Sequence, residues 1–227
     1  MTIETRIPSS TSTVAVSDDY AAFFESRYTE AAGDASRIPW ADGHANPALV
    51  NWLNAAAPSL VRCGARVAVP GCGLGEDARE LIKRGYEVTA FDVSPTAVEW
   101  ARRLDPDHAE CYHQADLFNL SPRWRRRFDL VAEIYTAQSL PIHRRTDVFK
   151  ALADLLTPHG VLLVIARGSK EPVSETDGPP WAFTREELLR AVAAAGLSPQ
   201  GSVDMFLDDD ETPPPWRLRG VFSRTRA

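Results

Sequence analysis

The sequence is poor in cysteine, and its three cysteines share no C-x-x-C spacing. Cys63, Cys72 and Cys111 therefore predict neither a disulfide framework nor a zinc site, and we expect no bound metal. No run of 18 apolar residues occurs, as a membrane-spanning helix would need, and the first residues lack the apolar core of a secretory signal. These absences predict a cytoplasmic protein that does not act at a membrane.

Positive charge is also scarce, because 25 Lys and Arg face 31 Asp and Glu, for a net charge of -6. The densest basic run, Arg123–Arg127, is short, and we interpret it as a solvated segment before a strand rather than a broad basic face. Nucleic acid is therefore not expected as a partner. A small molecule is the expected ligand, and the chain is expected to be a monomer or a homodimer.

The most informative segment present is a glycine loop, V-A-V-P-G-C-G-L-G-E-D-A, at residues 67–78. A short valine-rich run precedes it, and a helical pattern from Glu76 to Arg84 follows it and ends at Gly85. Glycines at positions 71, 73 and 75 allow a sharp turn and let a ligand approach the bare main chain. A tight strand-to-helix turn that binds no ligand could have the same glycine pattern.

An acid in the expected place strengthens the binding hypothesis. Glu87–Phe91 (E-V-T-A-F) predicts a second strand, which ends at Asp92, about 20 residues beyond the glycine loop. A carboxylate there can accept hydrogen bonds from a ribose diol, although it could instead cap its own helix. Ser94 and Pro95 supply the N-cap and the first-turn proline of that helix.

Strands and helices continue to alternate along the rest of the chain. The pattern predicts strands at Glu110–Gln114, Phe128–Ile134 and Val161–Ala166, a helix at His143–Leu156 that is broken by Pro158–Gly160, and a capped helix from Thr184 to Ala195. Strands that are apolar on both faces belong in a parallel sheet between helices. We predict an α/β fold: a Rossmann-like, doubly wound, mostly parallel sheet. Runs at Gln200–Leu207 and Trp216–Arg224 predict an antiparallel hairpin at its edge.

One domain is expected over residues 17–227, with residues 17–60 as an N-terminal helical cover and 61–227 as the Rossmann-like core. Residues 1–16 are predicted to be a mobile tail. The segment Asp18–Ala32 carries aromatic residues at helical spacing, so we expect a helix that closes over the ligand pocket. Ordinary packing of such an aromatic stripe is an alternative.

The order of these motifs resembles the class I S-adenosylmethionine-dependent methyltransferases from about Trp40 to the C-terminus. The segments V-P-G-C-G and I-P-W-A-D-G-H-A-N-P-A-L (Ile38–Leu49) resemble the thiopurine, thiol and halide methyltransferase branch. The chain departs from the wider family at Val69, where an acid is usual. The N-P-P-Y type of tetrapeptide expected in amino-directed DNA methyltransferases is absent at Glu133–Thr136.

The resemblance implies S-adenosyl-L-methionine as cofactor and assigns a role to each matching position. Gly71, Cys72, Gly73 and Gly75 would line its methionine and ribose. Asp92 would bind the ribose hydroxyls, Val93 would pack on the adenine, and Asp116 and Leu117 would lie at the adenine amino group and ring. Glu133 would lie beside the sulfonium. Trp40 would cover the cofactor, or would simply pack in the core.

We expect methyl transfer by in-line displacement to a small, partly planar acceptor, with a thiol favoured and oxygen or nitrogen also open. The candidate bases are Glu133, Tyr135 and His143. An oxygen acceptor would need such a base, whereas a thiol would not. His143 could instead cap or pack its helix. Tyr20, Tyr28, Tyr135 and Trp181 are the candidate acceptor-binding residues.

Two alternatives remain at this stage. The domain could bind the cofactor or S-adenosylhomocysteine without catalysis. It could also use the loop for a nicotinamide dinucleotide, as an oxidoreductase. The second alternative fits the residues less well, because Glu76 stands where the dinucleotide fingerprint has its third glycine and its carboxylate would repel a pyrophosphate.

Overall fold

The computed structural model describes residues 19–208 and 213–225 of the chain. The predicted mobile tail at residues 1–16 therefore lies outside the described residues. Within them, eight strands form one sheet: β1 (Arg66–Pro70), β2 (Glu87–Asp92), β3 (Tyr112–Gln114), β4 (Phe128–Ile134), β5 (Leu156–Arg167), β6 (Leu197–Pro199), β7 (Asp204–Leu207) and β8 (Trp216–Arg224).

The strand order is β3-β2-β1-β4-β5-β8-β6, and β7 also pairs with β8. Strands β1 to β5 pair in parallel, whereas β8 is antiparallel to β5, β6 and β7. The order reverses between β1 and β4, which is where open α/β sheets bind ligands. The Rossmann-like, mostly parallel sheet with a C-terminal antiparallel hairpin is thus confirmed.

Seven α-helices lie within the described residues: α1 (Tyr20–Ala31), α2 (Pro47–Ala55), α3 (Ala57–Leu60), α4 (Glu76–Lys83), α5 (Pro95–Leu104), α6 (Arg145–Leu155) and α7 (Arg185–Ala194). Short 3-10 turns occupy Ala35–Arg37, Pro106–Cys111, Pro122–Trp124, Ala137–Ser139, Ile142–Arg144 and Glu175–Asp177. None of the described helices has the length and apolarity that crossing a membrane requires.

Helix ends follow the predicted capping chemistry. The Ser94 hydroxyl accepts from the Ala97 N–H at the start of α5. Thr184 and Glu187 form a reciprocal capping box that starts α7. These local signals lie directly in the sequence, so the helix starts are predicted closely.

The sheet separates two buried clusters on its two faces. One contains Val131 with residues of α6 and α7, such as Leu152 and Leu188. The other contains Leu130 with residues of α2 and α4, such as Leu49 and Leu81. Neighbouring residues of β4 therefore face opposite layers, as the strand period of two requires.

Several boundaries differ from the prediction. Helix α6 begins at Arg145 rather than at His143, because Ile142–Arg144 forms a 3-10 turn. Strand β7 begins at Asp204 rather than at Gln200, and Pro158–Gly160 lie within β5 rather than before it.

Strand β5 begins at Leu156, five residues before the predicted Val161, because Leu156 pairs with Phe128 and the register then shifts before Leu130 pairs with Val161. Strand β3 is shorter than predicted, because residues up to Cys111 form a 3-10 turn. The short strand β6 was not predicted, since three residues carry too little periodic pattern to detect.

Candidate active site

A cavity of about 770 Å³ lies at the carboxyl ends of the central parallel strands. This volume is in the range of small-molecule and cofactor sites. We name two parts of its lining. The glycine-loop side comprises Gly71, Cys72, Gly73, Asp92, Val93, Ala115 and Leu117; the arginine side comprises Ile134, Tyr135, Thr136, Gln138, Ser139, Leu140, Arg167, Pro179, Pro180 and Arg217.

The three glycines of the loop all have left-handed backbone, with φ of 59° at Gly71, 51° at Gly73 and 82° at Gly75. A side chain at Gly71 would collide with the Thr136 side chain, and one at Gly75 would approach the Tyr112 ring to 2.7 Å. The loop therefore needs glycine both for its backbone angles and for the close packing behind it. Gly75 lies outside the cavity lining and acts at the start of α4.

Asp92 joins the loop to the end of β2. Its Oδ2 accepts from the Gly73 N–H at 2.9 Å, and its Oδ1 accepts from the Ser94 N–H at 2.9 Å. Burial raises the pKa of this carboxyl, while the main-chain donors oppose that effect. The side chain is thus held at the cavity wall in one orientation, and a carboxylate can accept about four hydrogen bonds in all.

Helix α1 and Trp40 form an aromatic roof over the cavity, consisting of Tyr20, Phe23, Phe24, Tyr28 and Trp40. The Trp40 Nε1–H donates to the Tyr28 hydroxyl at 2.8 Å, and the two rings meet edge to face. Tyr28 is buried beneath the roof, and burial raises the pKa of its phenol well above the ordinary value. Trp40 remains 37% exposed, which places it at the outer surface of the roof.

Hydrogen bonds join helix α1 of the roof to the segment after β3 and to the start of α5. The Tyr20 hydroxyl donates to Asp116 Oδ1 at 2.6 Å. Glu25 accepts from the hydroxyl groups of Ser94, at 2.6 Å, and Thr96, at 2.5 Å, at the start of α5. These bonds hold α1 against segments that the sequence assigns to ligand binding.

A turn after β4 forms the centre of the arginine side. Tyr135 has a left-handed φ of 62°, which is rare for a residue with a bulky side chain. The Thr136 hydroxyl donates to the Pro70 carbonyl at 3.0 Å, which joins the turn to the glycine loop. Gln138 accepts from the Trp181 N–H at 2.7 Å through its own carbonyl and from the Arg167 N–H through its side chain.

Some predicted site residues lie outside the cavity lining. Glu133 is fully buried on the sheet face that it shares with Val131, and its Oε1 accepts from the Ala137 N–H at 2.8 Å. Burial raises the pKa of this carboxyl to about 7. The His143 side chain is 61% exposed and stands 3.9 Å from Glu175. Neither side chain therefore lines the cavity, where a base would have to contact the acceptor.

Other predicted residues stand one position away from the lining. Trp181 is 3% exposed and bonds to the main chain, whereas the preceding Pro179 and Pro180 line the cavity. Asp116 is not part of the lining but lies between Ala115 and Leu117, which are. The structure thus gathers most of the predicted positions in one cavity, together with their immediate neighbours.

Arg167 and Arg217 line the cavity although the sequence did not predict them as site residues. The two residues are 50 positions apart and become partners only when β8 pairs with β5. A W-R-L-R alternation predicts a strand but gives no information about which strand it will join. No local signal in the sequence could have placed these residues in the cavity.

The chain is similar to several known proteins. A family profile described as Thiopurine S-methyltransferase matches residues 25–212. A ubiquinone biosynthesis O-methyltransferase of Xanthomonas axonopodis pv. citri (strain 306) is 31% identical over 150 residues, which cover 63% of this chain and 61% of that relative. The match therefore spans less than two thirds of that relative's length.

Two further proteins are similar over more of the chain. A probable thiol methyltransferase 2 of Arabidopsis thaliana is 25% identical over 184 residues, covering 77% of this chain and 75% of the relative. The crystal structure of the 1,6-didemethyltoxoflavin-N1-methyltransferase of Burkholderia thailandensis, with bound 1,6-didemethyltoxoflavin and S-adenosylhomocysteine, has a TM-score of 0.71 at 22% identity. The match covers 94% of this chain and 92% of that one. That likeness supports the fold.

Proposed function

The chain belongs to the thiopurine S-methyltransferase family, and we propose that it transfers a methyl group from S-adenosylmethionine to a small-molecule acceptor, with a thiol favoured. S-adenosylmethionine, the cofactor of these enzymes, supplies an electrophilic methyl group on a sulfonium. The observation that carries the proposal is the hydrogen bond from the Gly73 N–H to Asp92, which fixes a carboxylate beside bare main chain at the cavity wall.

The residues present fit this cofactor. Gly71, Cys72 and Gly73 would hold its methionine and ribose, Asp92 would accept from the ribose hydroxyls, and Val93 and Leu117 would pack on the adenine. Asp42, Glu76 and Asp77 also line the cavity, so carboxylates lie near the place where the cationic sulfonium ligand would bind. The aromatic roof covers the same volume, excludes water and presents ring faces that attract a sulfonium.

A thiol acceptor is favoured by the chemistry of the arginine side. The described residues of that side include no carboxylate and no histidine, so Tyr135 is the one predicted base among them. A thiol with a pKa near 8.5 is partly ionised at neutral pH and needs little help from a base, whereas an alcohol needs a base in contact with it. The Arabidopsis relative, described as a probable thiol methyltransferase, supports this choice, while the Xanthomonas relative is described as an O-methyltransferase.

Calorimetric titration with S-adenosylmethionine tests the cofactor first. We expect Asp92→Ala to weaken binding about 100-fold or more, because two charge-assisted hydrogen bonds from the ribose would be lost. Asp107→Ala, which removes an exposed carboxylate outside the cavity, is the matched control and should bind as the wild type does. Binding of NADH in place of S-adenosylmethionine would contradict the proposal.

A labelled-methyl assay then tests the chemistry with thiophenol, phenol and aniline as matched acceptors. We expect methylation of thiophenol to exceed that of phenol. Tight cofactor binding without transfer to any of the three would favour a noncatalytic S-adenosylmethionine-binding protein. Faster transfer to phenol would retain the enzyme but contradict the choice of sulfur.

A further inference from the structure

Gln138 is a buried polar residue of the arginine side, in the 3-10 turn after β4. It is 6% exposed, and it lines the cavity. Its main-chain carbonyl accepts from the Trp181 N–H at 2.7 Å, and its side-chain Oε1 accepts from the Arg167 N–H at the end of β5. Two distant segments of the chain therefore hold this residue in place.

The bond to Arg167 determines which way the Gln138 amide group points. The partner is a main-chain N–H, which can only donate, so the amide atom in front of it must be the oxygen. A flipped amide would place N–H groups against an N–H group. The two donors on Nε2 therefore occupy the other branch of the amide, away from the Arg167 main chain.

The Gln138 Nε2 atom has no hydrogen-bond partner within residues 19–208 and 213–225. It is also not sealed inside the protein, in contrast to Glu133 Oε2, which has neither a partner nor accessible surface. The nitrogen thus faces the space that Gln138 lines. Because a largely buried donor without a partner is costly, this atom is suited to a partner that enters the cavity.

The hydroxyl groups next to Gln138 differ from it, because they already donate within the protein. The Ser139 hydroxyl donates to the Tyr135 carbonyl at 2.8 Å. The Thr136 hydroxyl donates to the Pro70 carbonyl at 3.0 Å. Among the described side chains of this turn, Gln138 is therefore the uncharged donor that remains available to a ligand.

The position of Gln138 in the sheet indicates which ligand it would contact. Its partner Arg167 ends β5, which is three places from β2 in the strand order, whereas Asp92 ends β2. Neighbouring strands stand about 4.8 Å apart, so the two strands are roughly 14 Å apart. Gln138 is thus placed to contact the methyl acceptor rather than the ribose of the cofactor.

We propose that the methyl acceptor carries a carbonyl oxygen and that the Nε2–H group of Gln138 donates to it; this rests on the proposed methyl transfer at the same site. The amide is an uncharged donor, so it can bind a neutral carbonyl without leaving a charge to balance. An acceptor that lacks the oxygen would leave the amide nitrogen unpaired, and the site would discriminate against it. Gln138 is a specificity-determining residue in this arrangement.

A matched pair of thiols tests the proposal. 4-Mercaptoacetophenone carries a carbonyl, and 4-isopropenylthiophenol has nearly the same shape with a CH2 group in place of the oxygen. The two thiols differ in acidity, so the measured quantity is the ketone-to-alkene ratio of kcat/KM in the wild type divided by the same ratio in a variant. We expect the wild-type ratio to exceed that of Gln138→Met about tenfold, mainly through KM.

A second substitution separates the donor from the structural role of Gln138. Gln138→Met loses both the donors and the oxygen that the Arg167 N–H needs, whereas Gln138→Glu keeps that oxygen and replaces the donors by a second oxygen. At about pH 8.5, well above the ordinary pKa of a glutamate, we expect Gln138→Glu to lose the ketone preference at least as fully as Gln138→Met. A wild-type ratio in Gln138→Glu would overturn the proposal.

Gln200→Met makes the methionine substitution at an exposed glutamine and is the control, so it should keep the wild-type ratio. Titration with S-adenosylmethionine reports whether each variant retains the cofactor part of the site, and we expect affinities near that of the wild type. Equal losses for ketone and alkene in both Gln138 variants would mean that Gln138 only supports the turn, and would also overturn the proposal.

Binding to the protein loaded with S-adenosylhomocysteine gives a measurement that needs no turnover. We expect acetophenone to bind the wild type and Gln200→Met about tenfold more tightly than either Gln138 variant, and α-methylstyrene to bind all four proteins with similar, weaker affinity. Should the wild type methylate neither thiol, the proposed function fails while acetophenone binding still decides the carbonyl site. Equal acetophenone binding by all four proteins would contradict that site.

Discussion

The two sides of the cavity are built in different ways. The glycine-loop side comes from one continuous stretch, residues 71–117, and Gly71 and Gly73 leave main chain without a side chain there. The arginine side comes from segments spread between Ile134 and Arg217, and it depends on side chains that meet only after the sheet has formed. The difference separates a proposed cofactor site, fixed by a local motif, from a proposed acceptor site, fixed by tertiary contacts.

The same contrast applies to what holds each side in place. Left-handed glycines and the Asp92 carboxylate shape the glycine-loop side. On the other side, the Ala137 N–H of the turn after β4 donates to nearby Glu133. Gln138 of the same turn accepts from the distant Arg167 and Trp181 N–H groups. Substitutions can therefore affect one ligand without affecting the other.

The largest expected effect is the loss of cofactor affinity when a substitution disturbs only the glycine-loop side. Gly71→Ala puts a methyl group against the Thr136 side chain at a residue with φ of 59°, so the loop must move. We expect cofactor affinity to fall about 100-fold, since a misplaced loop loses several contacts to the ligand at once. Titration with S-adenosylmethionine measures the effect.

Gly85→Ala provides a control with matched backbone strain. Gly85 has φ of 83°, and a methyl group there would meet nothing within 4 Å. The left-handed backbone alone should cost each variant about 1 kcal/mol of stability, and Gly71→Ala should lose more because of its collision with Thr136. Cofactor binding of Gly85→Ala at the wild-type level is expected; an equal loss of affinity in both variants would mean that general destabilisation, and not the loop, sets the affinity.

The next effect should fall on the arginine side. Glu133→Ala leaves the buried Ala137 N–H without its acceptor, which costs about 1 to 3 kcal/mol and loosens the turn that presents Tyr135. We expect the KM for the acceptor to rise while cofactor affinity changes little. Glu133→Gln retains an oxygen for the Ala137 N–H and should restore most of the acceptor affinity; no rescue would indicate that the acid itself participates in the reaction.

Glu133 also predicts a dependence of stability on pH. Its folded pKa of about 7 lies above its ordinary value of 4.5 because of burial. Between these values the folded chain holds a proton that the unfolded chain releases, so stability falls as pH rises through this window. Relative to Glu133→Gln, the wild type should lose about 2 to 3 kcal/mol of unfolding free energy from pH 5 to pH 8. Denaturant titrations at both pH values measure the difference.

The sequence predicts the glycine-loop side of the cavity far better than the arginine side. The limits of β4, the caps at Ser94 and Thr184 and the left-handed glycine loop follow from short-range sterics and hydrogen bonding. Tertiary pairing decides the rest. It sets the register shift that extends β5, the pairing of Arg167 with Arg217 between β5 and β8, and the placement of the Glu133 side chain outside the cavity lining. The residues assigned from the motif lie in the cavity lining or next to a lining residue, but the direction of each side chain depends on the strand face.

The smallest effect is expected at the border of the arginine side. The His143 side chain is 61% exposed and lies beyond the cavity lining, next to Glu175, so His143→Ala should change kcat/KM for both thiophenol and phenol by less than about twofold. Tyr135→Phe, a change within the lining, serves as the comparison and should have a larger effect on KM. A selective loss of phenol methylation in His143→Ala would instead assign the general base to His143. It would also require the Ile142–Arg144 turn to swing towards the cavity when the acceptor binds, and the boundary drawn between the two sides would then shift.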